Sequence, residues 1–324
     1  MNKIIKRVFI GVLLVLLLTI AAFYISTLIQ EKNIQGKLVF AKSYDAGARV
    51  NRIVITDYKN VVELHQNNGY WRLPGYHDYY ADFDVIKSFF DTLNSSTYLQ
   101  PVSTGSAKVK ELSMLNPQDG NISSGILVQT YADDELLDAI IVGMKDPDKG
   151  FFIARRADSD NIWLIGGNYD IPTSPKLWKP KSLLNIPTSA IQMVGVDGHL
   201  ISRRSPSEDF QDRLGLTIPT GWLLQTLSSL NVSDIIPEDL FNKRFADVKI
   251  SKIYDINTFY GLRFELDFFE TSPKDVWVNI KLSSDTVAMR SVNDYINDNA
   301  FLYDGWYFKI SSYQKDFLMN YKLM

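Results

Sequence analysis

The chain has 324 residues, of which 46% are hydrophobic and 22% charged, a composition that fits about two globular domains and disfavours a disordered, collagenous or multi-span membrane protein. Its 34 basic and 37 acidic side chains leave a formal net charge of -3, so no global field favours nucleic acid and no nucleic-acid partner is expected. With no cysteine, disulfides, a thiol nucleophile, thiolate metal sites and a lipidated cysteine are all excluded.

Val8 to Ile29 is an uncharged run of 22 residues. As a helix it would measure about 33 Å, enough for a hydrocarbon core of about 30 Å. Lys3, Lys6 and Arg7 precede it, which predicts a cytoplasmic N-terminus, an exported body and the lipid bilayer as a partner of Val8 to Ile29. Thr19-Ile20-Ala21 before Ala22 offers a rival, a cleaved signal peptide. The apolar run continues past it through Phe23, Ile25, Leu28 and Ile29, which favours an uncleaved anchor.

Beyond a polar tether, Arg52 to Thr56 and Val61 to His65 read as strands, and Asn67-Asn68-Gly69 turns the chain into a third, Tyr70 to Leu73. Asp82 is placed to cap a helix whose Val85, Ile86, Phe89, Phe90 and Leu93 share one face. A similar order of landmarks then returns. Met193 to Asp197 echoes Ile53 to Asp57, Leu223 to Ser229 echoes Phe89 to Ser95, Gly261 to Phe264 echoes Gly125 to Val128, and Gly305 to Phe308 echoes Asn161 to Ile165. The expected fold class is therefore α+β, two similar antiparallel-sheet-plus-helix units after one transmembrane helix. The expected divisions are a tail, anchor and tether over 1–35, a first unit over 36–187 and a second over 188–324, with the Pro-marked stretch from Lys179-Pro180 to Pro187 as the joint.

Several of these motifs resemble a bacterial family, the domain-of-unknown-function family numbered 4340. They are Ile53-Val54-Ile55-Thr56, Gly69-Tyr70-Trp71-Arg72-Leu73, Ala81-Asp82, and Val142-Gly143-Met144-Lys145 running into Phe151 to Arg155. The likeness covers roughly residues 48–186 well and the second unit loosely. It implies an inner-membrane, single-pass protein with a periplasmic body. It further implies an accessory role beside an ABC-type permease of the gliding-motility exporter kind. These motifs are packing and turn signals and carry no catalytic residue across.

Signatures of chemistry are sparse. His65, His77 and His199 lack metal-ligand spacing, and His65 and His199 read as exposed turn residues. Asp146-Pro147-Asp148-Lys149-Gly150 starts like a calcium loop but has Gly150 at the fifth position and Asn161 where the closing Glu belongs, so it reads as a turn. Asp158 to Asn161 reads as a hairpin tip. No Gly-x-Ser-x-Gly elbow and no phosphate-binding Gly-rich loop occur, and Ser312-Tyr313-Gln314-Lys315 lacks the Lys-Thr-Gly that would make it a nucleophile motif. The expectation is no enzyme, no cofactor and no metal.

Two patches remain as candidates. Tyr76, His77, Tyr79, Tyr80 and Asp82 combine rings and carboxylates in the manner of a sugar site, which supports an alternative reading as an anchored glycan-binding module or glycan-acting enzyme. Arg155, Arg156, Arg203 and Arg204 form one basic protein-binding patch if the two pairs occupy corresponding places in the two units. The leading expectation is a non-enzymatic, membrane-anchored periplasmic interaction protein.

Overall fold

The computed structural model describes Leu16, Leu18, Thr19 and residues 34–119, 122–145, 151–167, 169, 171–285 and 290–323. Apart from Leu16, Leu18 and Thr19, the expected anchor lies outside the described residues. Among the described residues, no helix is long and apolar enough to cross a membrane.

Sixteen strands and seven α-helices are described. In chain order they are α1 (Ala41–Ala46), β1 (Arg52–Thr56), β2 (Val61–Asn67), β3 (Tyr70–Leu73), β4 (Tyr79–Tyr80), α2 (Phe83–Ser95), β5 (Thr97–Ser103), α3 (Ser106–Glu111), β6 (Ile126–Ala132), β7 (Glu135–Lys145), β8 (Phe152–Arg156) and β9 (Ile162–Gly166). There follow β10 (Ile191–Val196), β11 (His199–Ser202), α4 (Gly221–Ser228), β12 (Val232–Pro237), α5 (Glu238–Arg244), β13 (Lys252–Thr258), β14 (Leu262–Ser272), β15 (Asp275–Ser284), α6 (Arg290–Asn299), β16 (Trp306–Ile310) and α7 (Ser312–Asn320). The architecture is α+β, built on antiparallel sheets.

The chain divides into two compact units, Met1–Gly69 with Phe83–Pro175, and Tyr70–Asp82 with Lys176–Met324. The main division thus falls ahead of the Pro-marked joint, and Tyr70–Asp82 groups with the later part of the chain, which local sequence pattern did not show. In the first unit the strands run β2-β1-β6-β7-β8-β9-β5 across the sheet. In the second they run β11-β10-β13-β14-β15-β16-β12. Matching the elements in chain order within each unit gives the same arrangement twice. A hairpin is followed by a helix, then a strand that goes to the far edge, then a second helix, then four strands, the last two of which are separated by α6 in the second unit. Three of the expected echoes join matching elements: β1 with β10, α2 with α4, and β9 with β16. The fourth needs correction: Gly261 to Phe264 leads into β14, whose counterpart is β7, whereas Gly125 to Val128 opens β6.

Alternation places the first core. Ile53 opposes Leu64 and Ile55 opposes Val62 across β1 and β2, and all four are buried. Helix α2 buries Ile86, Phe89 and Leu93, while Lys87 and Asp91 pair across one turn of its wet face at 2.7 Å. Val109, Met114, Leu127, Ile141 and Ile162 form a cluster joining α3, the chain after it, β6, β7 and β9. Gly143 on β7 is what admits Met114: a Cβ there would sit 2.2 Å from Met114 Sδ and 2.8 Å from Ile153 Cγ1.

The second sheet sorts its faces the same way. Tyr254, Ile256, Phe264, Leu266, Phe268, Val278 and Ile280 are buried, and the alternate positions carry a charge ladder. In it Arg263 meets Asp255 at 2.7 Å, and Lys281 meets both Glu265 and Asp267 at 2.8 Å. Phe241 of α5 stacks on Tyr307 of β16 with ring centroids 3.7 Å apart. Lys252, 5% exposed, donates to the carbonyls of Met319 and Tyr321 at the C-terminal end of α7, where the helix dipole favours a cation.

Buried phenols tie this unit together and predict its alkaline limit. Tyr79 donates to the carbonyl of Leu302 at 2.9 Å, Tyr254 to Leu318 at 2.7 Å and Tyr303 to Leu183 at 2.8 Å. Burial raises the pKa of all three above that of an exposed tyrosine. In the first unit burial pushes Tyr98 up to about 12. A phenol whose folded pKa exceeds its unfolded value contributes stability that is fully present below about pH 10 and is lost as pH rises through the folded value. Phenolate absorbance of these tyrosines should therefore appear together with loss of circular dichroism in an alkaline titration. Ionisation of all tyrosines ahead of any unfolding would contradict this packing.

Candidate functional site

The aromatic patch is built by a sharp reversal. Pro74–Tyr76 makes one 3-10 turn, closed by the His77 N–H on the Pro74 carbonyl at 3.1 Å. His77 and Asp78 then take left-handed backbone (φ 55° and 63°) and return the chain along β4. Arg72 donates to the Tyr80 hydroxyl at 3.1 Å with its guanidinium over that ring, and Tyr80 packs on Phe301 at 4.6 Å. Tyr79 is buried edge-on against Trp306 at 4.9 Å and Phe308 at 5.6 Å. Tyr76 is buried as well, His77 is exposed, and the Asp82 N–H bonds to the Trp178 carbonyl at 2.7 Å. A sugar platform needs open ring faces. Here Tyr76 and Tyr79 are buried and serve to seat Tyr70–Asp82 within the second unit.

The arginine pairs do not occupy corresponding places. Arg155 lies on β8, whose counterpart is β15, while Arg203 follows β11, whose counterpart is β2. Arg155 is 5% exposed, and its Nε donates to Met114 O at 2.8 Å while Nη1 serves the carbonyls of Arg156, Ala157 and Ser159. Arg203 lies over the Phe210 and Phe259 rings and donates to the carbonyls of Ile191, Pro206 and Thr188. Both spend their donors on backbone carbonyls. Arg156 and Arg204 are exposed, and Arg156 holds Asp158 through Nε at 3.1 Å and Nη2 at 3.3 Å.

His199 is exposed at the start of β11, whereas His65 is half-buried within β2 rather than an exposed turn residue. Among the described residues, no group of three or more His, Asp or Glu side chains is arranged to hold a metal ion. The Asp146 to Gly150 loop lies outside the described residues. Asp158 to Asn161 does form the tip joining β8 to β9. Ser312 opens α7, with Lys315 bonded to the Pro273 carbonyl and paired with Asp316, so Lys315 is already engaged away from Ser312.

Each unit has concavities of its own. In the second, an apolar cavity of about 400 Å³ is lined by Ile186, Thr258, Leu262, Phe264, Val292 and Tyr295. A cleft of about 300 Å³ lies between α4 and α7, bordered by the exposed rings of Trp222 and Tyr313. In the first unit, a pocket of about 300 Å³ collects Lys37, Lys42, Tyr98, Asp138, Arg156 and Trp163. Asp138 is 2% exposed and accepts both the Ser43 N–H at 2.8 Å and the Ser43 hydroxyl at 2.6 Å on one oxygen, Oδ2. Sequence reasoning passed over this group. Its one signal was a carboxylate inside the apolar run Leu136-Leu137-Asp138-Ala139-Ile140-Ile141.

The family model described as Domain of unknown function (DUF4340) matches residues 71–243. That span begins at Trp71 of β3, crosses the remainder of the first unit and ends within α5, so it reaches well into the second repeat. No curated protein and no solved structure matches the chain.

Proposed function

The chain belongs to the DUF4340 family, and from that membership we propose that it is a non-enzymatic, membrane-anchored interaction protein of the bacterial envelope, accessory to an ABC-type transport system. The observation that carries this reading is the doubled strand order. Two units of one topology double the surface that a single anchor presents. The anchor is Val8 to Ile29, with the N-terminus cytoplasmic and the rest periplasmic in the inner membrane. The ABC-type permease as partner follows from the resemblance, and its ATPase is a separate chain because no nucleotide loop occurs here.

Anchoring is tested on the full chain by alkaline carbonate extraction and N-terminal sequencing. The protein should remain in the membrane pellet and begin at Met1, and a mature protein beginning at Ala22 would contradict the reading. A chain starting near Gly36 should leave the membrane and stay folded in solution, since each unit holds its own core.

A further inference from the structure

The pocket around Asp138 has features that packing alone does not use. Asp138 is a carboxylate buried in a strand, held on one side by Ser43, whose hydroxyl is also 2.6 Å from the Thr130 hydroxyl. Its other oxygen, Oδ1, has no hydrogen-bond partner among the described residues. Arg156 spends Nε and Nη2 on Asp158, which leaves Nη1 without a partner among them. Lys37 and Lys42 are exposed on the same rim, and neither has a carboxylate within ion-pair distance among the described residues. Tyr98 and Trp163, with centroids 5.5 Å apart, make one wall, and Ile34, Leu38 and Val39 make an apolar one. The pocket therefore carries three cations and, at its buried side, one carboxylate, with Asp158 beside the rim.

A carboxylate oxygen free to accept can take a donor from a ligand, and a cation cluster can hold an anion. We propose that this pocket binds a phosphodiester bearing a primary amine, the headgroup chemistry of an ethanolamine phospholipid, with phosphate on Lys42 and Arg156 and ammonium on Asp138. The lipid as source rests on the anchored reading: Ile34 follows Ile29 by five residues, a tether of at most about 18 Å. A bilayer headgroup is then within reach of the pocket, and the apolar wall can take the start of the glycerol moiety.

The test uses the full chain in a nonionic detergent. Protein-bound lipid is measured by mass spectrometry after exchange into micelles containing phosphatidylethanolamine, phosphatidylglycerol or phosphatidylcholine. O-phosphoethanolamine and inorganic phosphate are titrated separately by calorimetry. Phosphatidylethanolamine should be retained over the other two, because phosphatidylglycerol lacks the amine and the choline ammonium has no N–H to donate. Lys42→Gln and Arg156→Gln should each weaken retention about tenfold, as loss of a charge-assisted hydrogen bond predicts. Asp138→Asn should abolish the preference for the amine while leaving phosphate binding in place, and Lys42→Gln guards against misfolding because that side chain is exposed. Equal retention of all three lipids, with no heat from O-phosphoethanolamine, would overturn the proposal. Binding of free O-phosphoethanolamine by a chain that carbonate strips from the membrane would instead uphold the pocket and overturn the anchor.

Discussion

Trp71→Ala should lower stability by about 3 to 5 kcal/mol, the cost of a large ring removed from a packed interior. Trp71 is 9% exposed, on the inward side of β3 with Leu73, while Tyr70 is exposed and Arg72 reaches Tyr80. Its backbone carbonyl also receives the Ala81 N–H at 2.8 Å, so the ring and the strand together hold the reversal through Tyr76 to Tyr79. Denaturant unfolding of Trp71→Ala and Trp71→Phe checks this. The alanine variant should lose most of the midpoint, and phenylalanine should recover a substantial part of it. An unchanged midpoint for alanine would mean that Trp71 stands in solvent and would reopen the sugar-platform reading.

Gly143→Val acts in the opposite way, by overfilling, and should cost about 3 kcal/mol. The added Cβ meets Met114 Sδ and Ile153 Cγ1 well inside contact distance, and Met114 is fully buried among Val109, Leu127, Ile141 and Ile162. The thioether has nowhere to retreat without opening that cluster. A double-mutant cycle separates this from a general strand effect. Gly143→Ala together with Met114→Ala should be less destabilising than the sum of the two single changes, because the second makes room for the first. Strict additivity would show that Met114 is not the obstacle. This steric demand also accounts for the Val142-Gly143 pair that the resemblance singled out: glycine stands there for a sulfur atom.

Local pattern revealed a good deal of this. Period-two runs marked β1 to β3, and the spacing of Ile86, Phe89 and Leu93 marked α2 and its buried face. The Asp158 to Asn161 turn marked the β8–β9 hairpin. What stayed hidden depends on partners distant in sequence. Tyr70–Asp82 looks like the end of a meander, and contacts distant in sequence, among them Tyr79 on Trp306 and Phe308 and the Asp82 N–H on Trp178 O, place it in the later unit. Gly125 and Gly261 both precede a strand, and only the strand order shows that the two strands are not counterparts. Arg155 and Arg203 read as exposed charges because no local signal shows the carbonyls they bind. Asp138 was overlooked because its donor, Ser43, lies on a short helix 95 residues away.

The partner is tested most directly by purifying the full chain from membranes in mild detergent and identifying what accompanies it. The account predicts a multi-span permease with its ATPase. It also predicts weaker recovery when residues 1–35 are removed, since sharing a bilayer raises effective concentration and adds helix contacts. Absence of any transporter from the full-length preparation, with the exported part binding or cleaving an envelope polysaccharide, would contradict it.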